Sequence, residues 1–219
     1  MNNASSLTKG QGLALREIVG IFRSGRLVDN RPESLPAWRV TTADPLTASK
    51  VAQLLGGTPK ESEKSNHHAL EILTAADSVP IIVDDPHDIT TDMKLWGREG
   101  IVHHCDGIHF LSPEKYRGRP CGCPQNPTER FVHAKSGQGP QPSTDILFKL
   151  AEQRSLGIFR FHSNSWLLAK SIHEIRSTLP NAKGSIVCEL SIETVETTPA
   201  DGTTMRYRRP VLKAFRTGN

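Results

Sequence analysis

The sequence contains no apolar run close to the ~18 residues that a membrane-spanning helix requires. Residues 1–12 are polar and lack the apolar centre of a secretion signal. Aromatic residues make up only 5% of the chain, too few to predict a platform on which bases stack. These absences predict a cytoplasmic protein with a flexible tail at residues 1–14. The remaining chain is long enough to bury a core of its own.

The common catalytic signatures are also missing. The 17 glycines form neither a phosphate-binding loop nor a dinucleotide fingerprint, and no serine lies in a nucleophile elbow. Asp84, Asp85 and Asp88, with His87 among them, can in principle hold the divalent metal of a nuclease. An acidic turn after a strand is the simpler interpretation of these residues. We therefore predict that the protein is not an enzyme.

The chain has only a small excess of positive charge, with a formal net charge of +4. Three of the basic residues, Arg206, Arg208 and Arg209, fall in one predicted strand near the end of the sequence. They can contact phosphates or an acidic protein surface, although an edge strand protected by charge has the same pattern. No helix-turn-helix or RNA-recognition pattern accompanies them.

A strand followed by a helical pattern occurs twice. Residues 38–42 form the first strand, after which Asp44 is a candidate helix N-cap, with Gly56 as the stop. Residues 159–163 form the second strand, and either Asn164 or Ser165 can cap its helix. Further predicted strands flank both units at 17–22, 70–74, 79–83, 145–150, 186–192 and 205–215. The sequence therefore predicts an α+β fold of two similar strand-strand-helix-strand-strand halves, residues 15–84 and 144–219.

The segment between the halves, residues 85–143, is rich in glycine, proline, histidine and cysteine. It begins with a predicted short helix at 91–98 that carries Trp96. A long irregular segment in a compact protein is usually tied down or serves as a binding surface. The segment contains three of the four cysteines, whereas Cys188 lies on the inward side of a predicted strand and is interpreted as a core thiol.

Those three cysteines, Cys105, Cys121 and Cys123, suggest how the segment is held. Clustered thiols in a chain without a secretion signal favour a metal over disulfides. Structural zinc takes four thiolate or imidazole ligands, which three cysteines and one histidine can supply. The single residue between Cys121 and Cys123 is shorter than the usual zinc spacing, so a proline-rich turn with free thiols remains the alternative. Nearby histidines are His103, His104, His109 and His133.

The order of several short motifs resembles that of the recombination directionality factors of Streptomyces phages that use large serine integrases. The resemblance runs from about residue 15 to 215. The motifs are Trp38–Thr42, Leu55–Gly57, the hairpin Leu70–Val83, Leu95–Gly97, Cys105–Gly107, Cys121–Pro124, Gly157–Arg160, Ser163–Trp166 and Arg208–Leu212.

This resemblance implies a non-catalytic accessory protein whose partner is a large serine integrase in its DNA-bound complex. Binding favours excision over integration mainly through protein contact, which physically is a shift between arrangements of the integrase. We expect Trp96, Arg206, Arg208 and Arg209 to contact the partner. The second hypothesis is a zinc-stabilised nucleic-acid-binding protein of phage or prophage origin.

The resemblance also bears on the fourth zinc ligand. Proteins of this kind carry a further cysteine just before the position of Pro142, where this chain reads Gly139-Pro140-Gln141. Either a histidine completes the zinc site, or the site has lost its metal. We predict His133 in that role, with His104 as the second choice.

Overall fold

The computed structural model describes residues 16–29, 31–62, 70–178, 184–198 and 204–215. Within these ranges the chain is α+β, as predicted. The helices are α1 (Pro45–Leu55), α2 (Pro127–Lys135) and α3 (Trp166–Thr178). The strands are β1 (Ile18–Val28), β2 (Arg31–Thr42), β3 (Pro59–Glu61), β4 (Leu70–Leu73), β5 (Ser78–Val83), β6 (Ile89–Gly97), β7 (Gly100–Cys105), β8 (Phe110–Ser112), β9 (Gln141–Leu150), β10 (Ile158–Ser163), β11 (Ile186–Thr197) and β12 (Met205–Ala214). None of the described helices is long and apolar enough to cross a membrane.

The strands form one large sheet. Its main order is β12-β11-β5-β9-β10-β1-β2-β4-β3, and β6, β7 and β8 continue from β9 as a branch. β1 and β10 are parallel, and the other pairs are antiparallel. β5 belongs to the first predicted half but lies between β9 and β11 of the second. The predicted division into two halves is therefore not confirmed, because hydrogen bonding interleaves their strands.

Local capping explains where the helices begin. The Asp44 carboxylate accepts hydrogen bonds from the N–H groups of Leu46 and Thr47, and Gly56 ends α1 with φ at +76°. The Ser165 hydroxyl accepts from the N–H of Leu168, 3.3 Å away, at the start of α3. Side-chain oxygens at these positions satisfy N–H groups that the first turn of a helix leaves unpaired. The helices predicted after the strands at 38–42 and 159–163 are confirmed, as is the cap at Asp44.

The predicted helix at 91–98 is wrong, because these residues belong to β6 and to the turn that follows it. β6 is hydrogen-bonded to β7 on one side and to β9 on the other. Its buried apolar residues, Ile89 and Met93, are four positions apart. That spacing places two side chains on one face of a helix, but an even spacing also places them on one face of a strand. Pairing on both sides decides in favour of the strand.

Aromatic side chains form the centre of the core. Phe22 makes edge-to-face contacts with Trp38, Phe148 and Phe159, with ring centroids 5.3–5.8 Å apart. The same core cluster includes the buried faces of α1 and α3, among them Val51 and Ile172. α1 packs against β2, β3 and β4, and α3 packs against β6, β9 and β12, so the two helices enclose one core from different strands.

The fourth cysteine belongs to this core. Cys188 is fully buried and free, as predicted. Burial raises the pKa of its thiol to about 11. Cys188 therefore remains a neutral apolar side chain near pH 7.

Replacement of Phe22 by Ala tests the aromatic centre. We expect the free energy of unfolding to fall by about 3–5 kcal/mol, because the substitution leaves a cavity among three aromatic rings. Urea denaturation followed by circular dichroism measures the change. The control is Leu46→Ala on α1, where the side chain is 76% exposed and little should change. Equal effects for the two variants would contradict this account of the core.

Candidate metal centre

His103, Cys105, Cys121 and Cys123 come together, and one ligand atom from each lies within 4.8 Å of the others. His103 and Cys105 are alternate residues of β7 and therefore project from the same face of the strand. Cys121 is held by its backbone N–H, which donates to the carbonyl of Ile108 over 2.8 Å. Gly122 has φ at +74°, so the backbone turns sharply between the two cysteines. The three cysteines predicted to cluster thus do so.

Two of the separations between donor atoms match the edges of a tetrahedral zinc site. The Cys105 and Cys123 sulfurs are 3.7 Å apart, and the Cys123 sulfur is 3.5 Å from His103 Nε2. Zinc–sulfur bonds of about 2.3 Å and a zinc–nitrogen bond of about 2.05 Å give tetrahedral edges of about 3.8 Å and about 3.6 Å. Three thiolates and one imidazole are also the soft donor set that zinc accepts in closed structural sites.

The surroundings control the protonation of these ligands. Burial lowers the pKa of His103, and His104 lowers it further, which favours the neutral imidazole that binds metals. Burial raises the pKa of Cys105 and of Cys123, so without a cation the thiols keep their protons. The N–H of Gly107 donates to the Cys105 sulfur over 3.3 Å, an interaction that favours thiolate. Metal binding at this centre therefore releases protons.

Arg130 on α2 connects the loop that follows β7 with the loop that carries Cys121 and Cys123. Its guanidinium donates to the carbonyl of Pro124, beside Cys123, and to the carbonyl of Gly107, near Cys105. The distances are 2.9–3.3 Å. Gly107 has φ at +98°, and a Cβ there would lie 2.7 Å from the Arg130 side chain. No sequence pattern predicts this role for Arg130, because its partners are backbone carbonyls that carry no sequence signal.

A small apolar cluster surrounds the ligands. Met93 is buried with Cys105 and Cys121, and Phe110 and Trp166 pack against the three. The Phe110 ring lies 4.7 Å from the His103 imidazole, measured between centroids. Trp166 is the first residue of α3, so the cluster also links the metal centre to a helix of the main core.

The structure places His103, instead of the predicted His133 or His104, beside the three cysteines. His104 is the next residue along β7 and projects from the other face. There its ring nitrogens contact Ser112 Oγ at 2.9 Å and Asp92 Oδ2 at 3.0 Å. His133 is exposed on α2 and lies outside the ligand group. Alternation along β7 places His103 on the same face as Cys105 and is the pattern that identifies it as a ligand. The pattern applies only if residues 100–105 form a strand, whereas the sequence predicts an irregular segment there.

The acidic turn after β5 does not form a second metal site in the part of the chain that the structure describes. Asp84 pairs with Lys149 at 2.8 Å, and Asp88 is buried against Arg16 at 2.7 Å. Asp85 accepts from the N–H of His87 and begins a single turn of 3-10 helix. The three carboxylates thus have separate structural partners, as an acidic turn predicts.

The residues predicted to contact a partner lie in two places. Trp96 is at the end of β6 and is 66% exposed. Arg206, Arg208 and Arg209 lie on β12. Arg206 and Arg209 pair across the hairpin with glutamates of β11, at 3.4 and 3.2 Å, and Arg208 donates to the Ser34 carbonyl of β2. Much of this basic strand is therefore engaged within the chain.

The fold and the site define an α+β protein in which a candidate metal centre of one histidine and three cysteines organises a branch of one large sheet. No solved structure matches the chain. The model of the Gp3-like family, described as recombination directionality factor-like, matches residues 19–214. This match covers most of the 219 residues, and the chain belongs to that family. The resemblance seen in the sequence is confirmed.

Ligand substitution distinguishes the two histidines. We expect His103→Ala to weaken zinc binding by more than about 100-fold, since loss of an outer-shell partner alone costs about 10–100-fold. His133→Ala should bind zinc as the unaltered protein does. Competition with a chromophoric chelator measures the affinity, and atomic emission gives the zinc bound per chain. Loss of zinc in His133→Ala together with retention in His103→Ala would contradict the assignment.

Proposed function

We propose that this protein is an accessory factor that binds a large serine integrase and favours excision over integration without catalysing a step itself. The family match over residues 19–214 carries this proposal. A factor of this kind acts by binding one arrangement of the integrase more tightly than another. The difference between the two affinities sets the shift in population, so no chemistry in the factor is needed.

Zinc has a structural role in this proposal. The donor set is closed, because four protein ligands leave no coordination position for a substrate. Ligands from β7 and from the 121–123 loop share the ion, and binding free energy then contributes to the order of the central segment. His103, Cys105, Cys121 and Cys123 would hold the ion, and Arg130 would keep the two loops together.

The hairpin of β6 and β7 supplies a surface for protein contact. Trp96, Ile101 and Val102 are 66%, 43% and 65% exposed, and Trp96 and Ile101 are partners in register. We name these three residues the apolar hairpin tip. Ile101 and Val102 lie on β7, and two further residues of β7, His103 and Cys105, belong to the metal centre. An exposed tryptophan on a rigid hairpin is a typical anchor of a protein interface.

The basic strand β12 contributes less to this surface. Glu196 and Glu193 neutralise Arg206 and Arg209, although Arg206 remains 65% exposed at its side chain. An exposed ion pair is worth little to stability and exchanges readily for another partner. We therefore propose Trp96 as the principal contact, with Arg206 at the rim of the interface. These pairs also favour a protein partner over a nucleic acid, because phosphates would meet the two glutamates.

Trp96→Ala tests the hairpin surface. We expect the dissociation constant for the cognate integrase to rise about 30-fold, corresponding to the ~2 kcal/mol of an anchor residue. Surface plasmon resonance with immobilised integrase measures it. Leu46→Ala is the control, since Leu46 is also exposed but lies on α1. Unchanged affinity in Trp96→Ala would remove this surface from the proposal.

Recombination assays test the direction of the effect. Plasmids with paired attachment sites report integration and excision by the cognate integrase, with and without the protein. We expect the unaltered protein to promote excision and inhibit integration. Cys121→Ser should weaken both effects, because the metal centre no longer supports the hairpin tip. No binding and no change in direction by the unaltered protein would exclude the proposed function.

A further inference from the structure

The face of β1, β2 and β10 that points away from the aromatic core has an open groove of about 1230 Å³. Residues of β1, β2 and β10 line it, so it lies on other strands than the metal centre and the apolar hairpin tip. Phe22, Trp38 and Phe159 point into the core, whereas their neighbours in sequence, Arg23, Arg39 and Arg160, point into the groove. Neither the metal centre nor the proposed function uses these three arginines.

A bulge in β2 explains why this face is concave. Arg23 pairs with Arg39, and Gly25 pairs with Ser34, so one residue of β1 lies opposite four residues of β2. Extra residues in one strand bend the pair of strands. Gly25 fits closely against β2, where a Cβ would lie 2.8 Å from the Glu33 carbonyl oxygen. The segments of both strands beyond the bulge then form one wall of the groove.

The charges in the groove are nearly balanced. Arg39 pairs with Glu71, Arg160 with Asp145 at 2.7 Å, and Arg26 with Glu33 at 2.7 Å. Arg23 differs from these arginines. It donates to the Thr41 hydroxyl over 2.6 Å, and no carboxylate of the described residues forms an ion pair with it.

Arg23 lies in an unfavourable place for a cation. Its side chain is half-buried and faces Arg39 directly across the strand pair. Like charges in that position destabilise a sheet. Burial lowers the pKa of Arg23, and the charge of Arg39 lowers it further. An incoming anion would relieve both costs, because a partly buried charge is stabilised by an oppositely charged, hydrogen-bonded partner.

The residues that line the groove favour a ligand with a single carboxylate over a polyanion such as DNA. A DNA duplex presents one negative charge per ~1.7 Å of its axis, and such a ligand would also meet Glu33, Glu71 and Asp145. After the three ion pairs are formed, one positive charge remains, at Arg23. Ile21 and Pro32 add apolar surface beside it. This combination fits a protein segment in which an acidic side chain lies next to apolar ones.

We propose that the groove docks a segment of a partner protein through one Asp or Glu carboxylate that pairs with Arg23. Ile21 and Pro32 contact the apolar neighbours of that carboxylate. Arg39 and Arg160, held by Glu71 and Asp145, line the groove around the incoming group without adding net charge. The site does not depend on the metal centre or on the identity of the integrase.

Two matched peptides test the proposal on the full chain. Both are short, acetylated and amidated, with alternating threonine and valine around a central residue that is glutamate in one and glutamine in the other. The arginine Nε–Hε signals in nitrogen-15 NMR spectra report binding, and comparison with Arg23→Gln assigns the Arg23 signal. We expect the glutamate peptide to shift this signal saturably, with at least about tenfold higher affinity than the glutamine peptide.

Variants and a second ligand complete the experiment. Arg23→Gln should lose the preference for glutamate, Arg23→Lys should retain part of it, and Lys50→Gln on α1 should leave it unchanged. A short DNA duplex should not shift the Arg23 signal. Equal affinity for the two peptides, or saturable binding of the duplex instead, would overturn the proposal. Both peptide affinities are measured on the unaltered protein, and if Arg23→Gln folds poorly, Arg23→Lys, which also lacks the arginine Nε–Hε group, assigns the signal.

Discussion

In the central branch of the sheet, four candidate ligand atoms converge within 4.8 Å of one another. Among the described residues, the cluster around them has three buried members, Met93, Cys105 and Cys121, too few for a separate hydrophobic core. Two loops meet there, and Arg130 fixes them through backbone carbonyls. An ion shared by these ligands would supply the stabilisation that apolar burial does not. The main sheet, by contrast, is held by a continuous aromatic and aliphatic core.

The metal centre and the main core are nevertheless one structure. β6 is hydrogen-bonded to β9 of the main sheet, and Trp166 connects the start of α3 to the ligands. The position of the hairpin tip is therefore fixed relative to the groove on β1, β2 and β10. A partner that contacts both surfaces would bind two patches of different chemistry, one aromatic and one charged. Two separated contacts on a rigid body specify an orientation as well as a partner.

Sequence reasoning succeeded where the deciding interactions are local. Asp44 caps α1 through N–H groups two and three residues away, and the alternation from Ile186 to Ile192 identifies the buried face of β11. The prediction of a helix failed for β6, because its buried apolar residues are four positions apart, a spacing that fits a helix and a strand equally well. The choice of His103 over His133 required the knowledge that residues 100–105 form a strand.

Other features depend on long-range pairing that no local pattern encodes. The bulge that makes the groove concave appears only when the register of β1 against β2 is known. The same holds for the parallel contact between β1 and β10, whose partners Ile18 and Ile158 are far apart in sequence. The interleaving of the two predicted halves is likewise a property of the strand order. Periodicity identifies these strands but does not determine their neighbours.

The position of β5 has a consequence for synthesis on the ribosome. Both of its hydrogen-bonded neighbours, β9 and β11, are translated after it, and β11 begins only at Ile186. Until those residues emerge, the apolar sequence from Val79 to Val83 has two unpaired edges. Such a strand readily pairs with other chains. The nascent polypeptide must keep it apart from them until most of the protein has been made, which favours late, cooperative folding over stepwise folding from the N-terminus.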